Sequence, residues 1–146
     1  MQINFEFSKM KTDLQLSNNF LLSEFVRSAI AKRNNIHQQF TIEINVLTNL
    51  VYLTSFLLQP LRDFVGAINI TSGYRCTEVN AIVGGAQSSQ HLYGQAVDFV
   101  CKDFLKAISF IKNKTFDQLI IYDSFLHVSL TTSCNRKQVI DKRSYN

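Results

Sequence analysis

Residues 88–99 read SSQHLYGQAVDF, and they place one of the chain's three histidines, His91, shortly before a carboxylate, Asp98. A strand over QAVDFV (95–100) sets Ala96, Asp98 and Val100 on one face and Gln95, Val97 and Phe99 on the other. Neither face is polar, so the strand is predicted to be buried on both sides. A buried, unpaired carboxylate costs several kcal/mol, so Asp98 requires a partner: a metal ion, an arginine or a hydrogen-bond network each supplies one. In FLHVSL (125–130), Leu126, Val128 and Leu130 share an aliphatic face suited to the core. His127 lies on the other face, with Phe125 and Ser129, and points across the sheet or into a cleft. His91 sits in a loop before Gly94, where the chain can turn back toward the strand. Two imidazoles and one carboxylate make a three-ligand zinc set with a fourth position open to water. An ion there lowers that water's pKa to about 7 and polarises a carbonyl oxygen. On spacing alone, both histidines also fit as hydrogen-bonded structural residues.

Other elements must bring these residues together. The segment INFEF (3–7) reads as a short strand, and LLSEFVRSAIAKR (21–33) as a helix capped at Ser23. Residues 40–66 read as a long helix from a cap at Thr41. Leu47, Leu50, Thr54, Leu57 and Leu61 form its core stripe, with Val51 and Leu58 beside it. Pro60 is predicted to kink this helix and Gly66 to end it. AINIT (67–71) reads as a strand, and residues 72–90 as loop punctuated by Gly73, Gly84 and Gly85. Then come a strand over 94–101, an amphipathic helix over 102–114, and two strands over 116–130 joined by a turn near Asp123 and Ser124. Helices first and short strands later indicate an α+β fold, with N-terminal helices on a small, mostly antiparallel sheet. No repeat or linker divides residues 1–146, so one domain is expected, with about 1–18 and 131–146 peripheral.

Composition narrows the function. With 46% hydrophobic and 18% charged residues and a single Pro, the chain is globular rather than disordered. The net charge of +4 favours anionic partners. Basic residues are scattered apart from RKQVIDKR (136–143), and no nucleic-acid motif or basic stripe appears, so nucleic acid is not expected as a partner. Cys76, Cys101 and Cys134 are odd in number and lack C-x-x-C spacing, which suggests free thiols in a reducing compartment. Neither a signal peptide nor a run of about 18 apolar residues is evident. The expectation is synthesis in the cytoplasm, with delivery by other means if the target lies outside a membrane. His37 is expected at the surface, and Cys76 in packing.

The segment SQHLYGQAVD resembles the S-x-H-x-x-G-x-A-x-D motif of the zinc D-alanyl-D-alanine carboxypeptidases of the Hedgehog/DD-peptidase superfamily: Ser89, His91, Gly94, Ala96 and Asp98 meet every fixed position. Upstream, ITSGYRCTEVNAIVGGAQSSQH is similar to that family's S-G-Y-R…N…V-G-G-A…S-x-H segment. Downstream, FDQLI and LHVS look like its final strands. LSEFVRSAIA and LQPLRDFVG look like the helices that precede the motif in the family's small phage and bacterial branch. The resemblance spans roughly residues 20 to 140. It implies Zn2+ held by His91, Asp98 and His127, with Arg75 reaching toward the substrate carbonyl to stabilise an oxyanion. Ser89 is expected to support the site or to cap a turn, Gln118 to orient a ligand, and Glu78 and Asn80 to shape the loop after Arg75. Gly94 and Ala96 are expected to be small so that backbone passes close to the metal. The implied activity is hydrolysis of peptidoglycan stem peptides or cross-links, as in a phage lysis enzyme (an endolysin) or a virion-carried wall hydrolase.

One position departs from the family. Many relatives carry an acidic residue three positions before the last histidine, to move the proton of the attacking water. Here that position is Ser124, which is not a base of useful strength. Asp123, the acidic residue nearest in sequence to His127, is the expected general base, and Tyr122 is the alternative for assisting the transition state. Ser124 also keeps open a second function, a zinc-holding module that binds the wall or a partner without cutting.

Overall fold

The computed structural model describes residues 4–6 and 13–145. β1 (Asn4–Glu6) and β2 (Gln15–Ser17) precede β3 (Phe20–Leu21), and β2 and β3 pair antiparallel, burying Leu16 and Phe20. Residues just before 18 thus enter the core rather than staying peripheral. The helix expected over 21–33 is two short ones, α1 (Leu22–Val26) and α2 (Ala29–Arg33). Arg27 between them is extended (ψ 137°), and its guanidinium reaches Asn69 Oδ1 and Ile70 O. Ser28, not Ser23, is the capping serine: its Oγ accepts from Ala31 N at 3.1 Å. Ser23 lies inside α1 and donates its hydroxyl to Asp13.

Thr41 does not cap the long helix. It belongs to β4 (Thr41–Glu43), which pairs antiparallel with β1. The helix starts directly after β4 as α3 (Ile44–Leu53), with Glu43 at the cap position, widens into a π turn over Thr54–Leu58, and continues as α4 (Gln59–Val65). The wide turn immediately precedes Pro60, where it relieves the clash between the proline ring and the carbonyl four residues back. Gly66, at φ 88°, ends the helix. The core stripe is buried as expected except for Val51, which is 39% exposed; Leu53 faces inward instead. Ile44–Val65 is long and apolar enough to cross a membrane. Its leucines, however, are packed inside this protein, with Leu50, Leu57 and Leu61 fully buried.

β5 (Ile68–Ser72) follows, and then α5 (Thr77–Ile82) in a stretch that reads as loop. β6 (Ala96–Cys101), α6 (Phe104–Lys112), β7 (Gln118–Ile121), β8 (Leu126–Ser129) and β9 (Gln138–Asp141) complete the chain. The main sheet has the order β5-β6-β8-β7-β9, antiparallel except for the β7–β9 pair at the edge. The fold is α+β. The tail from Thr131, expected to be peripheral, supplies that edge strand. The strand's only apolar residues are Val139 and Ile140, a pair too short to stand out as a strand in a polar tail.

Strand alternation divides the sheet into two faces. Ile70, Val97, Phe99, Leu119, Ile121, Leu126 and Val128 face the helices in one core. On the other side the register aligns Ser72 with Asp98, Asp98 with His127, His127 with Ile120, and Ile120 with Ile140. That row carries the site.

Candidate metal centre

Asp98 and His127 are a direct cross-strand pair, so their side chains are side by side. His127 Nδ1 lies 2.8 Å from Asp98 Oδ1, and His91 Nε2 lies 3.4 Å from the same oxygen. The two rings meet edge to face at 5.2 Å. His91 comes from a 3₁₀ turn, Gln90–Tyr93, and its Nδ1 is 2.7 Å from Gly73 O. A carbonyl only accepts, so Nδ1 carries the proton and the Nε2 lone pair is directed at the group. All three donor atoms lie within 4.8 Å of one another. Zinc bonds of about 2.0–2.1 Å at a tetrahedral angle require donors about 3.3 Å apart, close to this spacing. One carboxylate, two imidazoles and an open side therefore fit zinc.

Arg75 holds the other side of the aspartate. Its Nη2 is 3.1 Å from Asp98 Oδ2, and its Nε donates to Ser72 Oγ at 3.0 Å. Oδ1 thus faces the histidines while Oδ2 is braced by the guanidinium. Burial alone pushes the Asp98 carboxyl up. The hydrogen bonds of His127 and then His91 outweigh it and hold the carboxyl well below the usual carboxylate range. The group is an anion at neutral pH, ready to meet a cation.

The site opens into a cleft of about 590 Å³, lined by Arg75, His91, Asp98 and His127 with Ser89, Gln118 and Tyr122. Two other grooves, of about 680 and 640 Å³, contain no such donor cluster among the described residues. Ser89 is a turn cap, its Oγ accepting from His91 N at 3.3 Å. Gln118 donates to Gln138 Oε1, and Tyr122 stacks on Phe125 at 4.3 Å. Cys76 is buried against Ala31, Ile36 and Val79, His37 is exposed, and Asn80 holds the following loop through Ala86 O. Gly94 is small for a reason other than the metal. It is left-handed (φ 69°), and a Cβ there would lie 2.7 Å from Val46 O on α3.

Asp123 is not brought to the cleft. It sits exposed at the hairpin turn, and its carboxylate accepts the Ser144 N–H at 3.0 and 3.2 Å. The tail that follows β9 thus holds it away from the residues that line the cleft. Ser124 is exposed in the same turn, and among the described residues Asp98 is the only carboxylate lining the cleft. Asp123→Asn should therefore leave turnover within about twofold, as for a surface change. Tyr122→Phe, which removes the hydroxyl of a residue lining the cleft, should cost about tenfold or more, toward the range of one lost oxyanion donor. Steady-state kinetics on both variants checks this, and a large loss in Asp123→Asn alone would restore the turn aspartate to the reaction.

A third carboxylate organises the wall of the cleft. Asp117 is buried and accepts from Arg136 Nη2 at 2.6 Å, Arg136 N at 2.9 Å and Gln90 Nε2 at 2.9 Å. It ties the β9 segment to the turn that bears His91. The Arg136 hydrogen bond outweighs burial and lowers the Asp117 carboxyl. A lowered folded value adds stability above the ordinary carboxylate range, about pH 4, and loses it as pH falls through the lowered value. Asp117→Asn should cost about 2 kcal/mol at neutral pH, less than a fully buried pair because Arg136 is largely exposed. The difference should vanish on acidification, as denaturation at a series of pH values will register. Asp117, Arg136 and Gln90 carried no motif signal; only the parallel docking of β9 assembles them.

A protein-family model described as Peptidase M15 matches residues 18–129, which include the whole His-Asp-His group and stop before β9. No curated protein matches the chain.

Proposed function

The chain belongs to the peptidase M15 family, and on that basis we propose that it is a zinc-dependent peptidase of bacterial peptidoglycan, acting on stem peptides or cross-links. The observation that carries the zinc reading is the convergence of His91 Nε2, His127 Nδ1 and Asp98 Oδ1 at one open cleft. Zinc bound there supplies a Lewis acid that polarises the scissile carbonyl and activates water near neutral pH. The chain's own residues supply orientation and charge. Gly73 O fixes the His91 tautomer, and Arg75 fixes Asp98. Arg75 Nη1 has no hydrogen-bond partner among the described residues, so it remains available to the developing oxyanion; Tyr122 lines the same cleft.

The wall as target is favoured by the net charge of +4 and by a polar, open cleft that suits an extended peptide. A role in phage lysis or in breaching the wall from a virion follows from that substrate. The test is a gel zymogram on bacterial cell walls, with mass spectrometry of the released peptides. Clearing should disappear with chelator and return with zinc. Clearing that survives chelation would overturn the metal role.

A second reading has its own observation. Because Asp98 is the only carboxylate lining the cleft among the described residues, the protein can also serve as a zinc-holding wall binder without turnover. Wall sedimentation of the zinc-loaded protein with no peptide release would favour that reading.

A further inference from the structure

We propose that β9 equips the metal cleft with a carboxylate-binding subsite, centred on Lys142 and backed by Arg136, that selects peptides carrying a free carboxylate near the cleaved bond. This rests on the peptidase reading for its substrate, but the subsite is built from residues outside the family match, which ends at 129.

The register carries the argument. β9 runs parallel to β7 with Gln138 opposite Gln118 and Ile140 opposite Ile120. Alternation then puts Gln138 and Ile140 on the face that bears Ile120 and His127, and Arg136 and Lys142 flank the two ends of that strand. Both cations line the cleft that holds His91, Asp98 and His127. With strands about 4.8 Å apart, β9 lies about 10 Å across the sheet from β8, and Lys142 about 7 Å further along than Ile140. The diagonal is about 12 Å, the span of about four extended peptide residues from the metal group.

The charges of the cleft are unequally matched. Arg75 is paired with Asp98, and Arg136 with Asp117. Lys142 has no ion pair among the described residues. Its Nζ lies 5.5 Å from the centre of the Tyr122 ring, which itself lines the cleft, and its backbone N–H donates to Ile121 O at 2.8 Å. The ammonium is thus held at the cleft wall by a ring face rather than neutralised by an acid. A ligand carboxylate completes the pairing. It can come from a peptide C-terminus or from an acidic side chain.

Calorimetric binding to the zinc-loaded, full-length protein distinguishes the sources. One probe pair is N-acetyl-L-Lys-D-Ala-D-Ala and its C-terminal amide. The other is N-acetyl-L-Ala-D-Glu-L-Lys amide and its D-Gln counterpart. In at least one pair the acid should bind about tenfold more tightly at low salt, the scale of one charged hydrogen bond on a partly exposed wall. The pair that shows the preference identifies the source. Lys142→Ala should abolish the preference by weakening the acid and leaving the amide unchanged; Lys142→Arg should keep it and Lys142→Glu reverse it. Equal binding of acid and amide in both pairs, or a preference that survives Lys142→Ala, overturns the subsite. Peptide release, followed in the same samples, is a separate readout. A Lys142-dependent preference without cleavage sustains the subsite and defeats the peptidase reading; cleavage without the preference does the opposite.

Discussion

Replacing His127 with alanine should strip zinc from the protein and lower peptide hydrolysis by at least about 10³-fold, because the Lewis-acid contribution it removes is several kcal/mol. His91→Ala should do the same to the metal, with a further cost to folding. His91 donates Nδ1–H to Gly73 O in a buried setting, and deleting the ring leaves that carbonyl without its partner. His127 is partly exposed and its ring bonds no backbone carbonyl among the described residues, so His127→Ala is the cleaner test. Elemental analysis of folded protein, confirmed by circular dichroism, gives the zinc content. Full zinc in either variant would remove that residue from the ligand set. Since ligands bind in their deprotonated forms, zinc affinity should also fall as pH drops toward 5.

Arg75→Lys should retain zinc yet lose about 10²- to 10³-fold in kcat/KM, the scale for one oxyanion donor. The guanidinium performs two tasks at once. Its Nε and Nη2 grip Ser72 and Asp98, and its planar fork leaves Nη1 directed elsewhere. A lysine ammonium keeps the charge but cannot hold both partners and still present a donor to substrate. Weaker bracing of Asp98 should show as a zinc affinity lower by about 10- to 100-fold, the usual effect of a ligand's supporting partner. The two tasks separate at saturating zinc. Activity restored there would assign Arg75 to bracing alone, whereas a persistent kcat loss would assign it to the reacting carbonyl.

The motif around His91 and Asp98, and the alternation of FLHVSL, were legible because each is a local pattern. Period-two alternation fixes which side of a strand a residue takes, and the burial of Asp98 between apolar neighbours already demanded a partner. The α+β class and most elements followed from the same periodicities. Local pattern failed where a long-range contact competes with it. Arg27 breaks an otherwise helical run because its guanidinium bonds β5, and residues 41–43 leave the helix because β1 pairs with them. Asp123 was the nearest acid to His127 in sequence, yet a hairpin turn directs it outward to Ser144. Sequence distance says nothing of which side of a turn a carboxylate leaves. Val139 and Ile140 were too short an apolar pair to mark β9 in the polar tail, since an edge strand is held by backbone partners more than by apolar side chains. The sequence by itself thus determined the donor types of the metal group and the strands that carry two of them. Only the tertiary structure decided that Arg75 grips the free oxygen of Asp98 and that Arg136 and Lys142 close the cleft, because these contacts join segments whose proximity is set by sheet order and not by spacing along the chain.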